Sequence, residues 1–151
     1  MNEMSQNETK PNELSLTLSR RIAAAPAKVY DAWLNPETFA RFMANCEGMT
    51  LAAAEIDARV GGRFLLVMRA GGKDWPHTGT YLELSPHTRL AFTWESASST
   101  VEGSTVTLDL MADGEATLLT LTHVRFSSEG VRDSHAGAWG TILDGLVKTT
   151  L

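Results

Sequence analysis

The chain has 151 residues, of which 43% are hydrophobic, a length that supports one well-packed domain and is short for two. Its formal charge of -5 is modest and spread along the sequence, so there is no electrostatic reason to expect a nucleic acid or an anionic membrane as partner. The single cysteine, Cys46, excludes an internal disulfide, and because the sequence shows no secretion signal and no apolar run that could span a bilayer, we expect a cytoplasmic protein.

The N-terminal part of the sequence predicts a flexible tail followed by a strand. Residues 1–13 are rich in Asn, Glu, Gln and Lys and cannot bury enough apolar surface to offset the entropy lost on ordering. The segment from Leu14 to Ile22 begins with leucines that alternate with serine and threonine, which is the period of a half-buried β-strand. We therefore expect the globular domain to occupy residues 14–151.

Two short helices are predicted after this strand. Proline at the first helical position loses no hydrogen bond, so Pro26 can begin a helix whose apolar face is formed by Val29, Tyr30, Trp33 and Leu34. Asn35 can cap a second helix, whose inward residues are Phe39, Phe42 and Met43. A DNA-binding helix-turn-helix needs a basic recognition helix, whereas this helix carries one arginine, so we do not expect nucleic acid as a partner.

Short strands separated by turn signals follow, a pattern typical of an antiparallel sheet. The predicted strands run over Met49 to Asp57, Phe64 to Arg69, about Gly79 to Leu84, Leu90 to Trp94, Thr105 to Leu110 and Glu115 to Phe126. The segment from Ala70 to Lys73 predicts a hairpin turn, and the polar run from Ser96 to Ser104 predicts a mobile loop. With the first strand, the sheet is expected to have about seven strands.

The last segment, residues 134–151, predicts one long amphipathic helix. Its large apolar residues recur at intervals of three and four, which places them on one stripe: Trp139, Ile142, Leu143, Leu146 and Val147. Gly137, Gly140 and Gly145 lie within this helix, although each costs about 1 kcal/mol relative to alanine. We expect compensation from a close approach of the helix backbone to the sheet, to a ligand or to a partner subunit.

Several short motifs accompany this order of elements: Pro26 with residues 29–33, Gly61 to Phe64, Gly79 to Tyr81, Glu83 to Pro86, Thr120 to His123, and Trp139 with Leu143 and Leu146. Together they resemble the SRPBCC (START-like) superfamily and, more narrowly, the family named after the activator of heat-shock-protein-90 ATPase homologue, over about residues 14–151. The resemblance implies an α+β helix-grip fold, with two short helices after the first strand. A curved antiparallel sheet of about six to seven strands would wrap around the long C-terminal helix. The fold hosts many functions and does not specify an activity.

The resemblance also implies a ligand cavity between the sheet and the C-terminal helix. Large inward side chains could line it or could simply pack in the core: Trp33, Phe42, Phe64, Met68, Tyr81, Phe92, Trp94, Trp139 and Leu143. His123 is predicted on an inward strand face, either as a core histidine bonded to a backbone carbonyl or to Tyr81, or as a ligand contact. His135, one turn before Trp139, is expected at the cavity mouth or exposed near the helix start.

The main hypothesis is a binding module that takes a small, mostly apolar molecule into this cavity and uses no cofactor. No catalytic residue is assigned, and the four histidines are too scattered along the sequence to indicate a metal site. Two alternatives stay open. One is a cyclase or hydrolase with His123 as acid or base and Tyr81 or Glu83 assisting, and the other is a chaperone-associated adaptor that uses the outer surface. The edge strands and the glycine-marked helix also suggest a homodimer.

Overall fold

The computed structural model of the protein describes residues 14–45, 47–96 and 100–151. In chain order, its elements are β1 (Ser15–Ile22), α1 (Pro26–Leu34), α2 (Pro36–Met43), β2 (Met49–Ile56), β3 (Arg63–Ala70), β4 (Lys73–Ser85), β5 (Arg89–Thr93), β6 (Glu95–Ser96), β7 (Thr100–Asp113), β8 (Ala116–Phe126) and α3 (Glu129–Lys148). The predicted tail at residues 1–13, as well as Cys46, lies outside the described residues. None of the helices in these ranges combines the length and the apolar character that spanning a bilayer requires.

One antiparallel sheet organises the fold. Its strands lie in the order β1-β8-β7-β5-β4-β3-β2, and the two-residue strand β6 pairs with β4 beside this path. The main path therefore has the predicted number of strands, with β1 and β2 at its two edges. The curved sheet, the two short helices after β1 and the long C-terminal helix form the expected α+β architecture.

Helix α3 packs mainly against β1 and also contacts α2 and β8. Its apolar stripe was predicted correctly except at the last position, because Val147 is 42% exposed while the other four large residues are at most 5% exposed. Alternate strand residues complete the core, as period-two side-chain direction requires: Phe64, Leu66 and Met68 on β3, Val106, Leu108 and Leu110 on β7, and Leu119, Leu121 and His123 on β8.

The two short helices form as the sequence predicts. The side-chain oxygen of Asn35 accepts hydrogen bonds from the backbone N–H groups of Glu37 and Thr38, at 2.9 and 3.2 Å, and so caps α2. Proline occupies the first position of each helix. The inward face of α2 is buried at Phe39, Phe42 and Met43, and the two phenylalanine rings pack against Trp33 of α1.

Helix α3 begins five residues before its predicted start. The Ser128 hydroxyl accepts a hydrogen bond from the backbone N–H of Val131 at 3.2 Å, so the cap lies at Ser128 and the helix runs over Glu129–Lys148. The predicted start at Ser134 was wrong because the first turn carries Gly130 and charged residues, which hide the apolar period. The early start brings Val131 over the sheet.

Strand β4 is much longer than the predicted segment of about Gly79 to Leu84, since it runs over Lys73–Ser85. Its first half contains Lys73, Asp74 and Pro76, which break the alternating apolar pattern by which strands are recognised. Pairing with β3 nevertheless continues from Arg63 opposite Thr80 to Ala70 opposite Lys73. Hydrogen bonding to β3, and not the local sequence pattern, therefore determines where this strand begins.

The prediction of a mobile loop from Ser96 to Ser104 was wrong at both of its ends. Ser96 belongs to β6 and β7 begins at Thr100, while residues 97–99 lie outside the described residues. The first part of β7 pairs with the end of β8, with a register shift between Thr100 and Thr105. Polar residues can form a strand here because the backbone of the neighbouring strand, β8, supplies the hydrogen bonds.

Gly145 shows the close helix approach expected for the glycines of α3. A Cβ atom at this position would lie 2.5 Å from the Cβ of Asn45, closer than real Cβ contacts allow. The Asn45 side-chain amide donates a hydrogen bond to the Thr141 carbonyl at 2.9 Å, which ties the end of α2 to the helix. A Cβ at Gly137 would meet no described atom within 4 Å beyond the neighbouring backbone of its own helix, so this explanation applies to Gly145 and not to Gly137.

Candidate functional site

A cavity of about 380 Å³ lies between helix α3 and the arm of the sheet formed by β3 and β4. The helix contributes residues that recur at intervals of three and four, which is one stripe of its surface: Val131, Ser134, His135, Ala138, Trp139 and Ile142. The sheet side contributes Met68, Ala70, Trp75, His77 and Trp94. Met43, at the end of α2, and Met49, at the start of β2, complete the lining.

The register between β3 and β4 arranges the sheet side of the cavity. Met68 lies opposite Trp75, and Leu66 lies opposite His77. Because alternate strand residues share a face, Trp75 and His77 point to the same side as the buried Tyr81. Trp75 is 45% exposed although it lines the cavity, so it forms part of the cavity mouth.

The cavity wall is mostly apolar and uncharged. Among the described lining residues there is no carboxylate, ammonium or guanidinium group, and the side chains with polar atoms are those of His77, Ser134, His135 and the tryptophans. Three elements each contribute a methionine, whose flexible and polarizable side chain can adapt to an irregular ligand. An apolar wall with a few polar groups is the usual composition of a small-molecule site.

Two histidines face the cavity, one from each side. His77 Nδ1 lies 3.1 Å from the Trp75 carbonyl oxygen, and His135 Nδ1 lies 2.9 Å from the Val131 carbonyl oxygen. Desolvation lowers the pKa of His77; the hydrogen bond to Trp75 opposes this effect, and the nearby His135 adds to it. A neutral His77 is therefore favoured at neutral pH.

A third histidine, His123, lies behind the cavity wall and is fully buried. The Trp139 indole N–H donates a hydrogen bond to His123 Nδ1 at 3.0 Å, so this nitrogen carries a lone pair. The hydrogen of the neutral ring then resides on Nε2, which donates to Ser104 Oγ at 2.7 Å. Burial, and secondarily His135, lowers the pKa of His123 to about 3.

These contacts decide between the two interpretations of His123. It is a core histidine, although its partners are Ser104 and Trp139, not a backbone carbonyl or Tyr81. Both ring nitrogens are engaged, so neither can exchange a proton with a ligand in this arrangement. Tyr81 and Glu83, which were expected to assist, are absent from the cavity lining, and the Glu83 carboxylate accepts a hydrogen bond from Ser85 Oγ at 2.7 Å. The geometry therefore does not assemble the predicted acid–base group.

The structure brings together four of the ten predicted ligand-binding residues in the cavity wall: Met68, Trp94, His135 and Trp139. The other six are buried in the core and do not line the cavity: Trp33, Phe42, Phe64, Tyr81, His123 and Leu143. They lie on inward faces as expected, but neighbouring side chains fill that space. The rings of Trp33 and Phe42, for example, are 4.8 Å apart between centroids, and those of Phe64 and Tyr81 are 5.8 Å apart.

Sequence reasoning missed several lining residues, above all Trp75 and His77. Both lie in the half of β4 that was not predicted as strand, so they were not assigned to a face. The sequence did contain a signal for both residues. In a strand, alternate residues lie on one face, so Trp75 and His77 share the face of Tyr81 once the strand is extended to include them. Val131 was missed for the corresponding reason at the start of α3. In the part of the chain that the structure describes, no three His, Cys, Asp or Glu residues are grouped to hold a metal ion.

Comparisons with known proteins agree with this architecture. The model of the family described as Activator of Hsp90 ATPase homolog 1-like protein matches residues 23–150. A crystal structure from Chromobacterium violaceum is 26% identical, covers 91% of this chain and 96% of its own, and superposes with a TM-score of 0.77. The solution structure of an AHSA1-like protein from Aeromonas hydrophila is 26% identical, with 89% and 90% coverage and a TM-score of 0.76.

The same fold extends to more distant sequences. A crystal structure from Mycobacterium smegmatis is 14% identical over 91% of this chain and 92% of its own, yet its TM-score is 0.74. At that identity the likeness concerns the fold alone. No protein among those with curated functions matches this chain.

Proposed function

The chain belongs to the Activator of Hsp90 ATPase homolog 1-like family, and from that premise we propose that it binds a small, mostly apolar molecule in the cavity between α3 and the β3–β4 arm. The observation that carries this proposal is the cavity itself. Its volume of about 380 Å³ is within the range of small-molecule sites, and its lining is apolar with few polar groups. Enclosing an apolar molecule there would remove both surfaces from water, which is favourable.

The arrangement of the residues around the cavity supports binding rather than simple packing. Trp94 and Trp139 are at most 3% exposed and their ring centroids lie 5.0 Å apart, so this side of the wall is fixed by the core. Trp75 and Ala138, by contrast, are exposed residues that still line the cavity. A rigid inner wall with an exposed mouth would allow a ligand to enter without unfolding the domain.

A fluorescent apolar probe tests the proposal. N-phenyl-1-naphthylamine is uncharged and becomes strongly fluorescent in an apolar environment. We expect saturable binding at one site on the wild-type protein. Replacing Ala138 with tryptophan should fill the mouth and weaken binding by at least about tenfold, the equivalent of about 1.4 kcal/mol.

Val147 offers a matched control for this substitution. It lies on the same helix, is 42% exposed and does not line the cavity. Val147→Trp should therefore leave the affinity for the probe unchanged. If Ala138→Trp binds the probe as tightly as Val147→Trp does, or if the wild-type protein shows no saturable binding, the cavity is not a binding site.

A further inference from the structure

We propose that the ligand is an uncharged hydroxylated aromatic molecule whose hydroxyl group donates its hydrogen to Nε2 of His77 or of His135. This inference rests on the proposed function and narrows it to a chemical class. It starts from the fact that the two imidazoles line the same cavity from opposite sides, His77 on β4 and His135 on α3.

In each ring, one nitrogen is already used by the protein. A backbone carbonyl oxygen can only accept, so Nδ1 of His77 donates to Trp75 and Nδ1 of His135 donates to Val131. In the neutral imidazole the other nitrogen, Nε2, then carries a lone pair and accepts hydrogen bonds. Each cavity histidine thus offers one acceptor, unlike His123, both of whose nitrogens are bonded inside the protein.

A hydroxyl group suits these two acceptors. It carries one hydrogen, which it can donate to Nε2 of either cavity histidine. A ligand that only accepts hydrogen bonds, such as a ketone or an ether, could use neither nitrogen.

The charge of the wall argues against an anionic ligand. No lysine or arginine lines the cavity among the described residues, so a carboxylate would have no permanent counter-charge there. It would have to bind with a protonated histidine, and burial together with the neighbouring histidine opposes protonation of His77. The third histidine, His123, lies next to His135 with 5.4 Å between ring centroids, and burial, with a smaller effect of His135, lowers its pKa to about 3, so it supplies no positive charge.

The aromatic part of the ligand follows from the three tryptophans of the wall: Trp75, Trp94 and Trp139. Flat ring systems pack against tryptophan in offset or edge-to-face arrangements that add to simple burial. The proposed ligand class therefore combines a ring system with a hydroxyl group, as in a phenol or a naphthol.

Three matched probes test the inference on the wild-type protein: naphthalene, 1-naphthol and 1-naphthoate. They share one ring system and differ in the polar group, and the quenching of tryptophan fluorescence reports binding. We expect 1-naphthol to bind between about twofold and tenfold more tightly than naphthalene, the range of one neutral hydrogen bond. We expect 1-naphthoate to bind more weakly than 1-naphthol.

Replacing either cavity histidine by phenylalanine keeps a ring and removes the acceptor. His77→Phe or His135→Phe, whichever removes the nitrogen that accepts from the hydroxyl, should reduce the preference for 1-naphthol over naphthalene, and both variants should preserve the affinity for naphthalene. If neither variant reduces the preference, the assignment of the hydroxyl to these histidines is wrong. His87→Asn is the control, because His87 lies outside the cavity lining and its φ of 68° is one that asparagine tolerates. This variant should retain the full preference.

The outcomes distinguish a failure of the hydroxyl inference from a failure of the proposed binding function. Equal affinity for naphthalene and 1-naphthol, or tighter binding of 1-naphthoate, would overturn the hydroxyl inference and leave apolar binding in the cavity standing. No saturable binding of naphthalene or N-phenyl-1-naphthylamine would overturn the proposed function itself. If a phenylalanine variant does not fold, the three-probe comparison on the wild-type protein still decides, and His77→Gln and His135→Gln provide acceptors that should restore the preference.

Discussion

The buried histidine cluster, formed by His123, Ser104 and Trp139, and the cavity wall with His77 and His135 use the same side chain in opposite ways. In the cluster, one imidazole nitrogen accepts from tryptophan and the other donates to serine, so the ring is a cross-link between β7, β8 and α3. In the wall, each imidazole donates to a nearby carbonyl group through Nδ1, and its second nitrogen has no hydrogen bond to a residue that the structure describes.

The difference shows that residue type alone does not identify a binding histidine. His123 had the stronger sequence signal, because it alternates with buried leucines on a regular strand. Complete hydrogen bonding in a buried position makes it a structural residue. His77 follows a proline and had no clear periodic signal, yet its position at the cavity makes it the better candidate for ligand binding.

The largest expected effect is a loss of stability when the buried histidine cluster is broken. Trp139 is 1% exposed, and Trp139→Ala should lower the free energy of unfolding by about 3 to 5 kcal/mol, the usual cost of deleting a buried aromatic side chain. The substitution also removes the donor to His123 Nδ1. Urea denaturation measures the change. A loss below about 1 kcal/mol, typical of a surface substitution, would show that the cluster does not hold the helix on the sheet.

The second expected effect is a loss of stability in mild acid. The pKa of His123 is about 3 in the folded protein and starts from an ordinary value of 6.5, so between these values the unfolded chain binds more protons than the folded one. The free energy of unfolding should therefore decrease as the pH falls below 6.5, by about 2 kcal/mol between pH 7 and pH 5. The lowered pKa of His77 acts in the same direction.

Substitution of His123 separates its contribution from that of His77. His123→Gln should lower stability at pH 7 and flatten the dependence on pH between 7 and 5, whereas His77→Phe should leave most of the slope. Urea denaturation at a series of pH values gives both quantities. An unchanged slope in the His123 variant would mean that this histidine is not held neutral by the fold.

The smallest expected effect on stability belongs to the cavity mouth. Trp75 is 45% exposed, and its indole N–H makes one long hydrogen bond, 3.4 Å from the Ala70 carbonyl oxygen. Trp75→Ala should change the free energy of unfolding by less than about 1 kcal/mol. It should, however, weaken binding of N-phenyl-1-naphthylamine, because it removes one aromatic side of the site. If the variant loses several kcal/mol of stability, or binds the probe with unchanged affinity, Trp75 does not form the mouth of a binding cavity.

Local sequence patterns determined most of the secondary structure. The alternation on β1, β3, β7 and β8, the Asn35 cap, the hairpin at Gly71 and Gly72 and the stripe on α3 all depend on neighbours within a few residues. Such signals predicted an antiparallel sheet and a C-terminal helix, whereas the short motifs predicted the family and, through the resemblance, the curved sheet around that helix. Predictions of the inward face were therefore correct even where the assignment to a cavity was not.

Only the tertiary structure decided which inward residues meet open space. The rings of Trp33, Phe42 and Phe64 pack against other aromatic rings of the core and do not line the cavity, which lies between α3 and the β3–β4 arm. The first half of β4, with Trp75 and His77, is a strand because β3 pairs with it, and pairing between strands is not encoded in the pattern of either strand alone. The sequence thus determined which side chains turn away from water, and the packing of distant elements determined where a ligand can take the place of a side chain.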